Sequence, residues 1–492
     1  MKINTKNSFL VLLLFTLLLG SCTEEFETMN ISPNSATKVP ASNVLGKSLL
    51  NSSQILFGER LDVYYAGTFS GYNAAIGAGD YEYRVGINNS QWDAMYASMT
   101  YAVEAMKLAK EEGNDNLYAA ALTLKSYMGH KTTDLWGSIP YSEAFSLEEN
   151  QIIYPKYDTE EEIYQQILSE LKIAADLFDT NGEELGEGDF LFKGNISKWR
   201  KFCNSLRLRV AIRMSSADES AAKLEIASVV ENPNSYPIMQ SNDDNAYFWW
   251  PGVLPDVEPW YARMGAADGN KTDGYRVSNA LVTALLENDD PRMPVYADRN
   301  KYGNYRGYEF GPNQLNDTLN NGNNVSHIGD RFGNNPAGFS PFMNTSEVYF
   351  ILAEAYERNL ITGGSAQSAY ETGVTMSLEE NGIEPADIAT FLAETEVAWD
   401  SGTTSNLYKI RLQKWISLFK QSVEGWAEVR RTDVPLILEV SKDYTGSHNR
   451  HPLRLAYPDS EKSLNTNFPF DIVEKDIFYG TQMWWDKRPG VQ

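Results

Sequence analysis

Apolar residues recur at helical spacing along most of this chain. Trp92, Met95, Tyr96, Met99, Val103 and Met106 form an i, i+3, i+4, i+7 stripe that Ser90 is placed to cap and Gly113 to stop. A second stripe, Ile163, Ile167, Leu171, Ala174 and Phe178, follows the capping box Thr159-Glu160-Glu161-Glu162. A third helix, starting after Ser197, turns Trp199, Phe202, Cys203, Leu206 and Val210 inward. Further helical patterns are read at about 221–230, 277–287, 345–358, 366–378 and 407–431, while period-two alternation is scarce. The prediction is a mostly α protein with at least eight helices and long loops. Between about 233 and 341 the pattern gives way to Gly, Asn, Asp, Pro and aromatic residues, broken only by the helical pattern at 277–287. Loops of that length are usually functional or disordered, and the aromatic density argues against disorder. This stretch is expected to form excursions on one face of a helical scaffold.

The first residues follow a different rule. Lys2 and Lys6 precede an apolar run from Phe9 to Leu19, the length of a signal-peptide core and too short to span a bilayer. Leu19-Gly20-Ser21-Cys22 resembles the bacterial lipobox, which makes Cys22 the expected lipidated mature N-terminus. The chain is therefore divided into a signal peptide at 1–21, a lipidated N-terminus and tether at 22–45, and a single α-helical domain at 46–492. Thr23-Glu24-Glu25-Phe26-Glu27 looks like an acidic signal for export to the outer face of an outer membrane; a plain solvated tether is the alternative. No other run approaches the length of a membrane span, so only the anchor is expected to touch lipid.

Composition narrows the partners. With Cys203 as the one other cysteine, no intramolecular disulfide is available after lipidation, and stability must come from a large apolar core. The formal charge of −24 becomes −26 when Lys2 and Lys6 leave with the signal, a balance that repels nucleic acid and anionic lipid.

Several phrases together carry a family resemblance. They are Asp134-Leu135-Trp136-Gly137-Ser138-Ile139-Pro140-Tyr141, the segment Trp199-Arg200-Lys201-Phe202-Cys203-Asn204-Ser205-Leu206-Arg207-Leu208-Arg209, and Glu347-Val348-Tyr349-Phe350-Ile351-Leu352-Ala353-Glu354-Ala355. Gln413-Lys414-Trp415-Ile416-Ser417-Leu418-Phe419, Glu428-Val429-Arg430-Arg431-Thr432 and Trp484-Trp485-Asp486 complete the set. Their order, with the lipobox, is similar to that of the SusD/RagB family of outer-membrane nutrient-binding lipoproteins. Trp136 and Ser138 depart from the Tyr and Asp common at those places. The resemblance implies a tetratricopeptide-like α-α superhelix with a loop-rich, irregular binding face. The pair 345–358 and 366–378, joined by Thr362-Gly363-Gly364-Ser365, has small and aromatic residues suited to such a hairpin. It further implies a SusC-like TonB-dependent β-barrel partner in the outer membrane, to which oligosaccharide is delivered; a peptide ligand is the alternative within the family, and a surface glycoside hydrolase the alternative outside it.

The motifs of catalysis do not assemble. Gly77-Ala78-Gly79 begins a dinucleotide-type pattern, but Glu82 occupies the third glycine's place. Asp268 to Gly274 starts like a calcium loop, yet Asp273 and Asn279 stand where the turn glycine and bidentate glutamate belong. That excludes an EF-hand and leaves open an irregular Ca²⁺ site on Asp268 or Asp273; no other cofactor and no metal centre is expected. His448 and His451 read as surface-loop residues, and Cys203 as a buried structural thiol. The cations Arg200, Lys201, Arg207, Arg209 and Arg213 are expected to pair within the chain. No catalytic residue is assigned, although glycosidases need only two suitably spaced carboxylates, which sequence does not reveal.

Ligand contact is assigned to the aromatic loop region: Tyr247, Trp249, Trp250, Trp260 and Tyr261, with Asn245 and its neighbours Asn242, Asp243 and Asp244 for hydroxyl groups. In Asn245-Ala246-Tyr247-Phe248-Trp249-Trp250-Pro251 an extended backbone turns successive rings to opposite sides, so at least one should face outward. Tyr72 and Tyr81, with Tyr83, form a second candidate platform.

Overall fold

The computed structural model describes residues 39–75, 85–265, 274–309, 320–437, 449–469 and 480–491. Ala41–Gln492 form one structural unit. Its first helix, α1 (Ala41–Leu56), takes in the last residues assigned to the tether. Helices α2 (Val85–Glu112) and α3 (Asp115–Trp136) follow, then α4 (Glu160–Leu177), α5 (Ile196–Met214) and α6 (Glu219–Val230), each packed on the next. After the loop-rich region, which contains α7 (Asn279–Leu286), come α8 (Thr345–Glu357), α9 (Ala366–Glu380), α10 (Pro385–Leu392), α11 (Asn406–Ser417) and α12 (Ser422–Thr432). Helix α8 packs on α9 and α11 and reaches across to α5, joining the two halves of the scaffold.

Local chemistry sets most boundaries. Thr159 and Glu162 make both halves of the capping box, and Ile163, Ile167, Leu171 and Ala174 are buried beneath α4. Gly113 ends α2 at φ +71°, but Ser90 lies inside that helix, which begins at Val85. Asn195 rather than Ser197 caps α5. The single pattern read at 407–431 is two helices, because Lys420 adopts φ +70° and sends its buried ammonium to Glu258, 2.9 Å away. In the α8–α9 hairpin, a Cβ on Gly373 would come within 2.9 Å of the Phe350 ring, so glycine permits the close crossing. Cys203 is buried, its thiol 3.2 Å from the Leu171 carbonyl, and burial pushes its pKa up to about 12.

The interior also holds a connected set of charges. Arg209 on α5 forks onto Glu347 on α8 at 2.8 and 2.5 Å. Arg213, one turn on, and Lys131 on α3 both donate to Glu424 on α12. Arg431 bridges Glu354 and Glu428, and Lys414 on α11 lies 2.9 Å from Glu428. Burial alone would raise the Glu424 pKa, but Arg213, Lys131 and Arg209 outweigh it and hold the carboxylate well below the glutamate range. His130, Asp134 and Glu424 approach one another closely enough to suggest a metal site. Both Glu424 oxygens, however, already receive cationic donors, and burial drops His130 to about 4, so the cluster reads as an ion network with a neutral imidazole. Arg207 pairs with Glu225 and Lys201 with Asp244, while Arg200 donates to the Ser235 carbonyl. The cations of α5 thus face partners inside the chain.

Two short antiparallel sheets hold the loop-rich region. Strand β1 (Asn73–Ala75) pairs with β3 (Tyr275–Val277), and β2 (Ala246–Trp249) with β4 (Phe339–Met343). Among the described residues no helix is long and apolar enough to cross a membrane.

Candidate functional site

The site is built on β2. Its register sets Trp249 against Phe339 and Tyr247 against Pro341, and Trp250 N–H extends the ladder to the Gly338 carbonyl at 2.9 Å. Alternation then sorts the rings. Phe248 and Trp250 turn inward in edge contact at 5.1 Å, with Trp250 Nε1 donating to Ser340 Oγ. Tyr247 and Trp249 share the other face, where Tyr247 stacks on Phe339 at 4.7 Å and Trp249 leans on the same ring at 5.2 Å. Trp249 is the ring the strand leaves outside, 54% exposed. Its indole is therefore fixed by the ladder and by Phe339 while one face stays available.

Trp249 stands between two clefts. The first, about 960 Å³, is walled by the segment after α4, notably Glu184, Glu187 and Phe190, and on the other side by Phe248, Trp249 and Trp250. Phe190 is 48% exposed and meets Phe248 edge-on at 6.1 Å. Asp189 holds this wall, its carboxylate accepting the N–H groups of Leu191, Phe192 and Gly194 and Trp199 Nε1 at 2.8–3.1 Å. Against the wall's back lies α1: a Cβ on Gly188 would fall 1.8 Å from the Ser42 carbonyl oxygen, and one on Gly46 would fall 2.9 Å from the Phe190 ring. Only glycine allows this approach.

The second cleft, about 470 Å³, shares Trp249 and Lys193 with the first and adds Lys198, Asp243, Arg331 and Glu380 among its lining. Tyr247 donates its hydroxyl to Glu380, whose pKa burial raises despite that bond and the nearby Arg331 charge. The Arg331 guanidinium lies 5.0 Å over the Phe339 ring and 3.6 Å from the Glu380 carboxylate. The clefts thus combine aromatic faces with charged and hydrogen-bonding groups, a surface that can pack on the C–H face of a sugar ring and engage its hydroxyls.

The sequence-assigned residues separate. Tyr247, Trp249 and Asn245 line the second cleft, and Trp249 and Trp250 the first. Tyr247 and Trp250 are nonetheless almost buried and present edges rather than open faces. Asn245 serves the backbone, accepting from Thr345 N–H at 2.7 Å, and Asp244 is taken by Lys201 and by Gln240 N–H. Trp260 belongs to the core: it is fully buried, edge-on to Phe419 at 5.9 Å and under the Lys420 ammonium. Tyr72 is likewise buried, stacked on Trp415 at 4.9 Å with its hydroxyl on the Trp415 carbonyl, so neither ring offers a face to a ligand. Tyr261, on the short helix Pro259–Met264, is half-buried and lines neither cleft. Tyr81, Tyr83, Asp268, Asp273, His448 and Cys22 lie outside the described residues. His451 is buried rather than on a surface loop, and burial lowers its pKa to about 3. Sequence reading missed Phe190, Lys193 and Arg331; a visible signal for the first two was Gly186-Glu187-Gly188-Asp189-Phe190, a glycine-rich aromatic turn between capped helices.

Residues 33–458 match the family model described as "Starch-binding associating with outer membrane". No match was found among curated protein sequences. A chitin-binding SusD homologue from Flavobacterium johnsoniae shares 25% identity, covering 90% of this chain and 99% of its own at a TM-score of 0.75. SusD homologues from Bacteroides uniformis and Parabacteroides distasonis, at 23% and 22% identity, superpose with TM-scores of 0.77 and 0.79. They cover 90% and 91% of this chain and 99% and 97% of their own. The helical scaffold and the family match over most of its length place this chain in the SusD-like family of outer-membrane-associated proteins.

Proposed function

We propose that the protein is a cell-surface lipoprotein that captures oligosaccharide at the Trp249 ridge and passes it to a SusC-like TonB-dependent β-barrel transporter. The observation that carries this reading is a tryptophan fixed by a strand ladder yet open on one face, with a cleft on either side. Burying about half an indole against a sugar ring needs no movement of the protein, which favours affinity. The family description and the chitin-binding homologue support a glycan in preference to a peptide. A glycan and peptide array, with hits measured by calorimetry, is expected to return saccharides that bind without cleavage. Peptide hits alone, or new reducing ends accumulating with time, would overturn the reading in favour of a peptide binder or a hydrolase.

The lipid anchor is proposed from Leu19-Gly20-Ser21-Cys22. Cys22→Ala is expected to move the protein from the membrane fraction to the soluble fraction in cells lacking the transporter, since nothing else in the chain is expected to hold lipid strongly. Retention of the variant on the membrane would refute the assignment. The acidic residues after Cys22 fit a tether that lets the lipoprotein hinge over its transporter.

A further inference from the structure

We infer, building on the glycan reading above, that the second cleft receives an anionic substituent of the sugar, a carboxylate or a sulfate ester, on the guanidinium of Arg331. The cleft holds cationic donors whose hydrogen-bonding capacity the protein leaves largely unused. Among the described residues the Arg331 guanidinium has no hydrogen-bond partner: Glu380 is 3.6 Å away, beyond hydrogen-bond reach, and the buried Nε is unpaired. Its position is nevertheless fixed by the Phe339 ring beneath it. A planar fork held on an aromatic face matches an acceptor with two oxygens.

Two further cations line the same space. Lys198, in the first turn of α5, gives one hydrogen bond to the Asp243 carbonyl at 2.5 Å and keeps its other donors. The exposed Lys193 ammonium has no hydrogen-bond or ion-pair partner among the described residues, its backbone N–H alone being engaged, with the Asp189 carbonyl. The opposing carboxylates are Asp243 and Glu380, and Glu380 already accepts the Tyr247 hydroxyl. The three cations therefore outnumber the two carboxylates, a balance that adds charge-assisted bonds for an anionic substituent and gives a neutral sugar, whose hydroxyls both give and accept, no such gain. The chain's overall negative charge does not decide the matter, because at physiological salt it is screened beyond about 8 Å, whereas the cleft's donors would touch the ligand.

The test is calorimetry of the whole protein at 150 mM salt with two matched pairs: galacturonate oligosaccharides against their methyl esters, and sulfated galactan (carrageenan) oligosaccharides, which contain no uronate, against their desulfated, neutral form. In one pair the anionic member is expected to bind at least about tenfold tighter than its neutral partner, the range of a charge-assisted bidentate contact. Which pair shows it distinguishes carboxylate from sulfate. Arg331→Gln should bring the two members to within about twofold, and Arg331→Lys should restore part of the gap. Lys198→Gln, which leaves the Phe339 stack intact, should narrow the gap by a smaller factor and serves if Arg331→Gln fails to fold. Equal affinities within both pairs, absence of binding to either, or a preference that survives both glutamine variants would overturn the inference. Trp249-dependent binding of neutral glycans without any anionic preference would overturn it while leaving the glycan reading standing; glycan binding indifferent to Trp249 would overturn both.

Discussion

Glu424→Gln is expected to lower the unfolding free energy by about 3–5 kcal/mol, the range for breaking one side of a buried ion pair. The carboxylate receives Arg213 and Lys131 and lies 3.8 Å from Arg209, all within the interior. Glutamine keeps the shape but leaves these cations without their counter-charge, where water cannot compensate. Chemical denaturation monitored by tryptophan fluorescence would measure the loss. Lys107→Gln, at an exposed ion pair with Glu148, is the control and should fall within experimental error. A Glu424→Gln protein as stable as the parent would show that the network is not a charge-balanced unit.

Trp249→Ala is expected to cost roughly 1–3 kcal/mol of glycan binding, about five- to more than a hundredfold, with the melting temperature nearly unchanged. The ring is 54% exposed and its removal opens no cavity in the core. Trp260→Ala should do the reverse. That indole is fully buried, so its loss is expected to destabilise the fold by about 3–5 kcal/mol. Calorimetric titration and thermal unfolding of both variants, with a glycan from the array, separate the two effects. Trp249→Ala with full affinity and a large fall in melting temperature would move the ring into the structural core and the site elsewhere.

The stripe plainest in the sequence belongs to a helix with one wet face. The α4 stripe and its capping box are plain because the opposite face carries Glu161, Gln165 and Lys172. Helix α3, almost wholly buried, was not read from the sequence, and its interior is not uniformly apolar: Lys125, Lys131 and Asp134 lie inside with partners on other helices. The phrases that carried the family resemblance, by contrast, contain the interior charges Arg209, Glu347, Glu354, Lys414, Glu428 and Arg431. They were recognisable as words before their meaning as ion pairs was visible. In the site, strand alternation foretold an outward ring, and β2 presents Trp249. It did not foretell Arg331, which reaches the cleft through Phe339 from a four-residue helix far along the chain, nor the burial of Tyr72 and Trp260, which depends on packing against Trp415 and Phe419.

The glycine contact behind Phe190 has a mechanical consequence. Helix α1 starts at the fully buried Ala41, so a displacement of this helix is carried first by its opening turns. One residue later Ser42 meets Gly188, and one turn beyond that Gly46 meets Phe190, with no side chain between to cushion the load. A shift of α1 is thus delivered to the wall of the first cleft as directly as to its neighbour α2, which Ala41 N–H meets at Glu112.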